Sequence, residues 1–185
     1  MTEIFFIGDT HFGHKNILTF KDEDGNLIRP GFSCIDDMNE RLVDNWNSVV
    51  RKQDKVIHLG DVAFGKEALQ ICKRLNGIKH LVLGNHDGLG IQAYAEIFSK
   101  IFGVKYVGKN TAICTHIPIH QSSFRHFKIN IHGHLHEKTL DQPQYFNVSC
   151  EQIGYQPICI DSIMLDFMRK TNEVYGFFDG FTDNV

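Results

Sequence analysis

Asp9-Thr10-His11, Gly60-Asp61, Gly84-Asn85, His116 and His134-Leu135-His136 are the residues from which this chain could build a reaction centre. Carboxylates, an amide oxygen and imidazoles together suit a divalent cation. Three of the groups follow a glycine at the end of a short apolar run. In open α/β sheets, ligands bind outside the carboxyl ends of strands, and glycine permits a sharp exit and close backbone approach. Asp9 and His11, like His134 and His136, are spaced i and i+2, which in extended chain sets both side chains on one face. Seven ligands are too many for most single ions and suit two ions sharing a carboxylate. Asp61, in the middle of the set, is the natural bridge. Singly the pieces say little: a lone Gly-Asp recurs by chance, and His134 and His136 alone would read as a half-buried strand. Their ordered combination is what points to metal.

The elements that must position these residues can be read from apolar runs. Ile4–Gly8, Lys55–Leu59 and Ile78–Leu83 read as buried strands, the first ending in Gly-Asp, the others leading into Gly-Asp and Gly-Asn. Met38, Leu42, Val43, Trp46, Val49 and Val50 recur at helical spacing, predicting a helix over 35–51 that Ser33 or Asp36 could cap. Residues 67–75, 91–100 and 161–169 suggest further helices, and residues 21–33 a surface excursion or small hairpin. Segments 104–107, 111–115, 128–133, 144–149 and 157–160 are short and strand-like, and the tail reads as polar. Alternation first and strands later predict a layered α/β sandwich with mixed sheets. No linker or repeat interrupts residues 1–185, which read as a single domain.

Composition narrows the function. With 185 residues, 42% hydrophobic and 22% charged, the chain can bury a core without staples. A net charge of −3 argues against stable duplex nucleic acid, which needs a basic face; a small phosphate-ester substrate remains open, because metal ions add local positive charge. No segment is apolar enough to span a membrane and the N-terminus shows no signal peptide. Five cysteines without a CxxC pair read as reduced thiols, so a cytoplasmic location is expected.

The motif set Asp9-Thr10-His11, Gly60-Asp61, Gly84-Asn85-His86-Asp87, His116 and Gly133-His134-Leu135-His136 resembles the calcineurin-like metallophosphoesterases, all five blocks in order. The resemblance implies a four-layer α/β/β/α sandwich with two mixed sheets, its metal site at the C-terminal ends of strands, and no capping domain. It implies one metal on Asp9, His11, Asp61 and His136 and a second on Asp61, Asn85, His116 and His134. Two divalent ions are expected, Mn first, with Fe, Zn, Ni, Co or Mg as alternatives. His86 would be the catalytic histidine, oriented by Asp87. Two such ions would supply Lewis-acid stabilisation for an in-line displacement and an activated water. The expected function is a phosphohydrolase, a phosphodiesterase on small diesters or nucleotide-type substrates before a phosphomonoesterase. A protein phosphatase is disfavoured because Asp61 runs on as Val62-Ala63-Phe64-Gly65, and an inactive binding scaffold because His86 and every ligand are present.

Among the remaining candidates, His14 and Arg125 are read as substrate contacts, Arg125 for its bidentate fork. His120, Arg125 and His126 lie in a loop expected to overhang the site. His58 and His132 are expected in or below the core, and His80 at a strand start on the surface. An open, uncapped cleft also allows a homodimer.

Overall fold

The computed structural model describes residues 2–175, and the tail from residue 176 lies outside them. The apolar runs form β1 (Ile4–Ile7), β2 (Lys55–His58) and β3 (Ile78–Val82), which pair in parallel with Ile7 opposite His58 and His58 opposite Leu81. With β4 (Lys100–Phe102) parallel to β3, and β9 (Ile158–Cys159) antiparallel to β1, they make a sheet of order β4-β3-β2-β1-β9. A second sheet runs β5 (Lys105–Val107), β6 (Ala112–Cys114), β7 (Ile129–His132) and β8 (Tyr145–Asn147). Its β5–β6 pair is antiparallel and the other two are parallel, so both sheets are mixed as the sequence predicted.

Alternate residues of the first sheet serve two cores. Phe5, Ile7, Val56 and Leu81 join a cluster with Met38, Leu42, Val43 and Trp46 of helix α1 (Ile35–Val49). Phe6, Ile57 and Val82 join a second with Ala112, Cys114, Ile129 and Ile131 of the other sheet. A sheet covered on both faces needs continuous apolar runs rather than alternation; β1 carries one in full, and β2 and β3 carry apolar pairs, Val56-Ile57 and Leu81-Val82. Each large side chain buried this way contributes about 1.5–3 kcal/mol. A one-residue slip would exchange the two faces and carry Asp9 and Asp61 away from their shared end, so core packing also fixes the site.

Several local readings are corrected. Cys34, not Ser33 or Asp36, caps α1: its Sγ accepts from the Asp37 amide at 3.5 Å, while the Ser33 amide donates back to Asp37 Oδ2 at 2.8 Å. The helix expected over 67–75 splits into α2 (Lys66–Leu69) and a 3-10 turn, Gln70–Arg74. Only Ile91–Ala95 of the next is helical (α3), because the chain extends into β4, a strand too short to leave a period in the sequence. The last helix, α4, spans Ile160–Tyr175. His80 is not a surface residue: it is buried within β3, its ring 5.9 Å from Phe102, and burial pushes its pKa down to about 4. Residues 21–33 do turn back, with Lys21 bridging Leu27, yet Arg29 from this excursion is only 1% exposed.

Candidate metal centre

Each expected ligand lies just past the end of a strand: Asp9 after β1, Asp61 after β2, Asn85 after β3, His116 after β6, His134 and His136 after β7. His11 follows Asp9 on the same exit. Both sheets meet here, with the Gly8 amide donating to Val148 O at 2.8 Å, while the Gly133 amide donates to His116 O at 2.9 Å across the exits of β6 and β7. The approach is close enough to require glycine. A Cβ on Gly133 would collide with Asp9 Oδ2, and one on Gly60, which sits at φ +89°, would lie 2.5 Å from Gly84 N. The extended-chain argument for the i, i+2 pairs is corrected: Asp9, His11, Asp61, His134 and His136 have φ of 55°, 47°, 55°, 71° and 49°. The ligands converge because the chain turns sharply off the sheet. Left-handed backbone at a non-glycine residue costs of order 1–3 kcal/mol, and among the described residues this strain concentrates at the ligands.

The ligand atoms fall into two overlapping groups, Asp9–His11–His136 and Asp9–Asp61–His116, each with all donor atoms within 4.8 Å of one another. His11 Nε2 lies 4.0 Å from Asp9 Oδ1 and 3.7 Å from Asp61 Oδ2, and His116 Nε2 lies 3.4 Å from the same Asp61 oxygen. Asp61 Oδ2 therefore stands between the two histidines. The His134 ring is 5.1 Å from that of His116, and the His134 amide donates to Asp9 Oδ2.

The donor chemistry fits divalent cations. Asp9 Oδ1 and both ring nitrogens of His11 are buried with no hydrogen-bond partner, an arrangement that costs about 1–3 kcal/mol per group if nothing binds it. His116 Nδ1 meets Leu59 O at 2.7 Å and must donate; the Asp61 and Asp9 carboxylates outweigh burial and hold a second proton on the ring, and loss of that proton frees a lone pair on Nε2. That lone pair faces Asn85 Oδ1 at 2.8 Å and Asp61 Oδ2, and a cation at that point satisfies all three. Burial pushes Asp9 up to about 6 against the pull of His116 and His136. Burial and the Arg29 charge push His11 down to about 2, keeping it neutral as a ligand must be. Asp61 goes the other way: burial is outweighed by the hydrogen bond and charge of His116 and by the His86 amide, holding it at about 2.

His86 is exposed at the mouth of this cluster, its ring 5.8 Å from that of His11, and its amide donates to Asp61 Oδ1 at 2.8 Å. Asp87 does not orient the His86 ring as expected. Its carboxylate accepts from the amides of Asp61, Val62 and Gly84 at 2.8–3.0 Å, so it ties together the two loops that carry Asp61 and Asn85. His14 is at the site, stacked on Phe64 at 3.8 Å between centroids and 5.5 Å from His11. Arg125 is exposed, and among the described residues no hydrogen bond or ion pair ties it to the cluster. His58 is buried and donates to Thr10 Oγ1, which in turn donates to Val62 O, steadying the residue between Asp9 and His11. His132 is buried in the strand below, its Nδ1 on Gly133 O.

Sequence reasoning missed four groups. Ser149 donates to Asp9 Oδ2 at 2.9 Å. Glu151 accepts from His136 Nδ1 at 2.9 Å, and Arg29 pairs with Glu151 at 2.7 Å. Phe64, 40% exposed, lies 5.6 Å from the His86 ring. Of these only Phe64 carried a signal, as an aromatic three residues past Asp61 in a loop.

A family model described as calcineurin-like phosphoesterase matches residues 2–174. The chain is similar to an uncharacterized protein of Methanocaldococcus jannaschii, 34% identical over 175 residues that cover 89% of this chain and 90% of that one. It is also similar to the gene 66 protein of Mycobacterium phage L5, 29% identical over 170 residues, 74% of this chain and 78% of the phage protein. The crystal structure of an Aquifex aeolicus protein of unknown function superposes with a TM-score of 0.71 at 27% identity, covering 89% of this chain and 99% of that one.

Proposed function

The chain belongs to the calcineurin-like phosphoesterase family, and we propose that it hydrolyses small phosphodiesters of nucleotide type with two divalent metal ions. The family and the Asp/His clusters together support metal-dependent phosphoester hydrolysis. One observation carries the two-ion reading: two ligand groups that share Asp9, with Asp61 Oδ2 standing between His11 of one and His116 of the other. When bound, the ions supply Lewis-acid stabilisation of the phosphoryl oxygens and an activated water. Asp9, His11, Asp61 and His136 would hold one, and Asp61, Asn85, His116 and His134 the other. Oxygen and imidazole donors without thiolate are compatible with Mn, our first choice, and with Fe, Zn, Ni, Co or Mg. His86 stands where it can protonate a leaving oxygen, and Asp87 keeps the loop bearing it in register.

The rim of the site supports the nucleotide reading. Phe64 stacks on one face of His14, and Phe20 meets His14 edge-on at 5.6 Å. Phe20 and Phe64 are 47% and 40% exposed beside the metal cluster. Such rings accept a nucleobase by stacking, worth about 1–3 kcal/mol per base. Phe64→Ala is therefore expected to raise KM for a nucleoside p-nitrophenyl phosphodiester by roughly 5- to 150-fold, with kcat and the KM of methyl p-nitrophenyl phosphate, which has no base, little changed. An equal rise for both substrates would show that Phe64 does not read a base.

The reading is tested with metal-free protein reloaded with Mn²⁺ and assayed on bis-p-nitrophenyl phosphate and p-nitrophenyl phosphate. Turnover with higher kcat/KM on the diester is expected, lost on chelation and restored by metal. No turnover with Mn²⁺, Ni²⁺, Co²⁺, Zn²⁺ or Mg²⁺ would overturn it, and a preference for the monoester would reassign the substrate class.

A further inference from the structure

Arg29 and Glu151 form a buried ion pair outside the ligand set. Arg29 leaves the excursion over residues 21–33 and its guanidinium makes every contact inward. Nε donates to Glu151 Oε1 at 2.7 Å, Nη1 to Thr10 O at 3.1 Å, and Nη2 to Asp9 O. Glu151 Oε1 also accepts from His136 Nδ1 at 2.9 Å. A buried pair of this kind is a weak source of net stability, since apolar residues of like volume often do as well. What distinguishes this one is where its two ends lead. One holds the backbone of Asp9 at its strained φ of 55°. The other fixes the His136 ring with Nδ1 protonated, so that Nε2 presents its lone pair toward Asp9 Oδ1, 4.0 Å away.

The His116 side of the cluster is held by other groups. His116 Nδ1 rests on Leu59 O, Asp61 Oδ1 on the His86 amide, and the loops of Asp61 and Gly84 on Asp87. Neither Arg29 nor Glu151 takes part in these bonds.

We propose that Glu151, held in place by Arg29, is a positioning residue for one metal position only, that of Asp9, His11 and His136, and that it sets the affinity of that position through His136 without affecting the His116 position. A carboxylate on the far nitrogen of a ligating histidine fixes the ring and raises its basicity; removing such a partner typically costs 10–100-fold in metal affinity or activity. The proposal rests on the two-metal reading above.

The test is a calorimetric titration of metal-free protein with Mn²⁺, with metal content measured after dialysis. His136→Ala and His116→Ala identify which binding step belongs to which position. Glu151→Gln is expected to weaken the His136 step by about 10–100-fold and leave the His116 step unchanged. Equal weakening of both steps, or of neither, would overturn the proposal. Failure of the underlying reading looks different: wild-type protein would then lack a second step before any variant is made. If Glu151→Gln does not fold, judged by its circular-dichroism melt, the double variant Arg29→Met with Glu151→Leu removes both buried charges. It is expected to fold and to show the same weakened step. A double variant that keeps both steps intact, or that fails to fold even in excess Mn²⁺, overturns the proposal, the latter by making the pair a requirement of the fold.

Discussion

Asp61→Ala is expected to abolish metal-dependent turnover and to leave the protein unable to retain metal at either position. Asp61 Oδ2 is 3.7 Å from His11 Nε2 and 3.4 Å from His116 Nε2, so its removal takes an anionic ligand from both sides. What remains is a single carboxylate, Asp9, common to both groups, with His11 and His136 on one side and His116 on the other. The fold should survive. Asp61 Oδ1 accepts the His86 amide, and losing one such acceptor costs about 1–3 kcal/mol, against a typical stability of 5–15 kcal/mol. It also removes a carboxylate packed beside Asp9, which favours the metal-free state. Asp61→Asn separates charge from shape: the amide oxygen can still accept from His86, yet metal loading should fall as it does in Asp61→Ala. Metal content by mass spectrometry, with a thermal melt to certify folding, reads both variants. Two equivalents of metal retained by folded Asp61→Ala would refute the bridging role.

The proposed ligands could be picked out from sequence because most of them mark a local event, the end of an apolar run, and local events leave local patterns. The same holds for α1, whose apolar residues repeat over four turns, and for the parallel strands, whose two-sided burial demands unbroken apolar runs. What was not legible depends on contacts across the chain. Arg29 and Glu151 are 122 positions apart, and nothing near either announces the other. The family resemblance implied that Asp87 orients the His86 ring; its bonds run instead to the backbone amides of Asp61 and Val62 in the neighbouring loop and of Gly84 in its own. The left-handed backbone at Asp9 and His136 was not read because, although Asp and His adopt it more often than most side chains, it is still uncommon for them and needs the surrounding network to hold it. β4 escaped notice because three residues are too few to show a period. Arg125 was proposed from the chemistry of its side chain and from a loop expected to overhang the site, and the fold leaves that side chain exposed, with no bond to the cluster among the described residues.

His86→Ala separates the proton chemistry from the metal chemistry. The contact that ties residue 86 to the ligands is its backbone amide on Asp61 Oδ1, and alanine keeps that amide. Metal content is therefore expected to stay at the wild-type level. The ring is exposed at the mouth of the cluster, 5.8 Å from His11 and 5.6 Å from Phe64, where it can reach a substrate oxygen without being a ligand. A positioned general acid is worth about 10²–10⁴ in rate, or roughly 3–5 kcal/mol of barrier. That loss should depend on the leaving group. An alkoxide needs its proton, so a nucleoside or alkyl diester should lose the full factor. Nitrophenolate departs without one, so bis-p-nitrophenyl phosphate should lose much less. Comparing kcat on the two substrates thus reports what the ring does. Equal losses would mean that His86 acts by stabilising charge on the phosphoryl oxygens rather than by proton transfer. Loss of metal in His86→Ala would move it into the ligand set, and the division of labour proposed for this site would have to be redrawn.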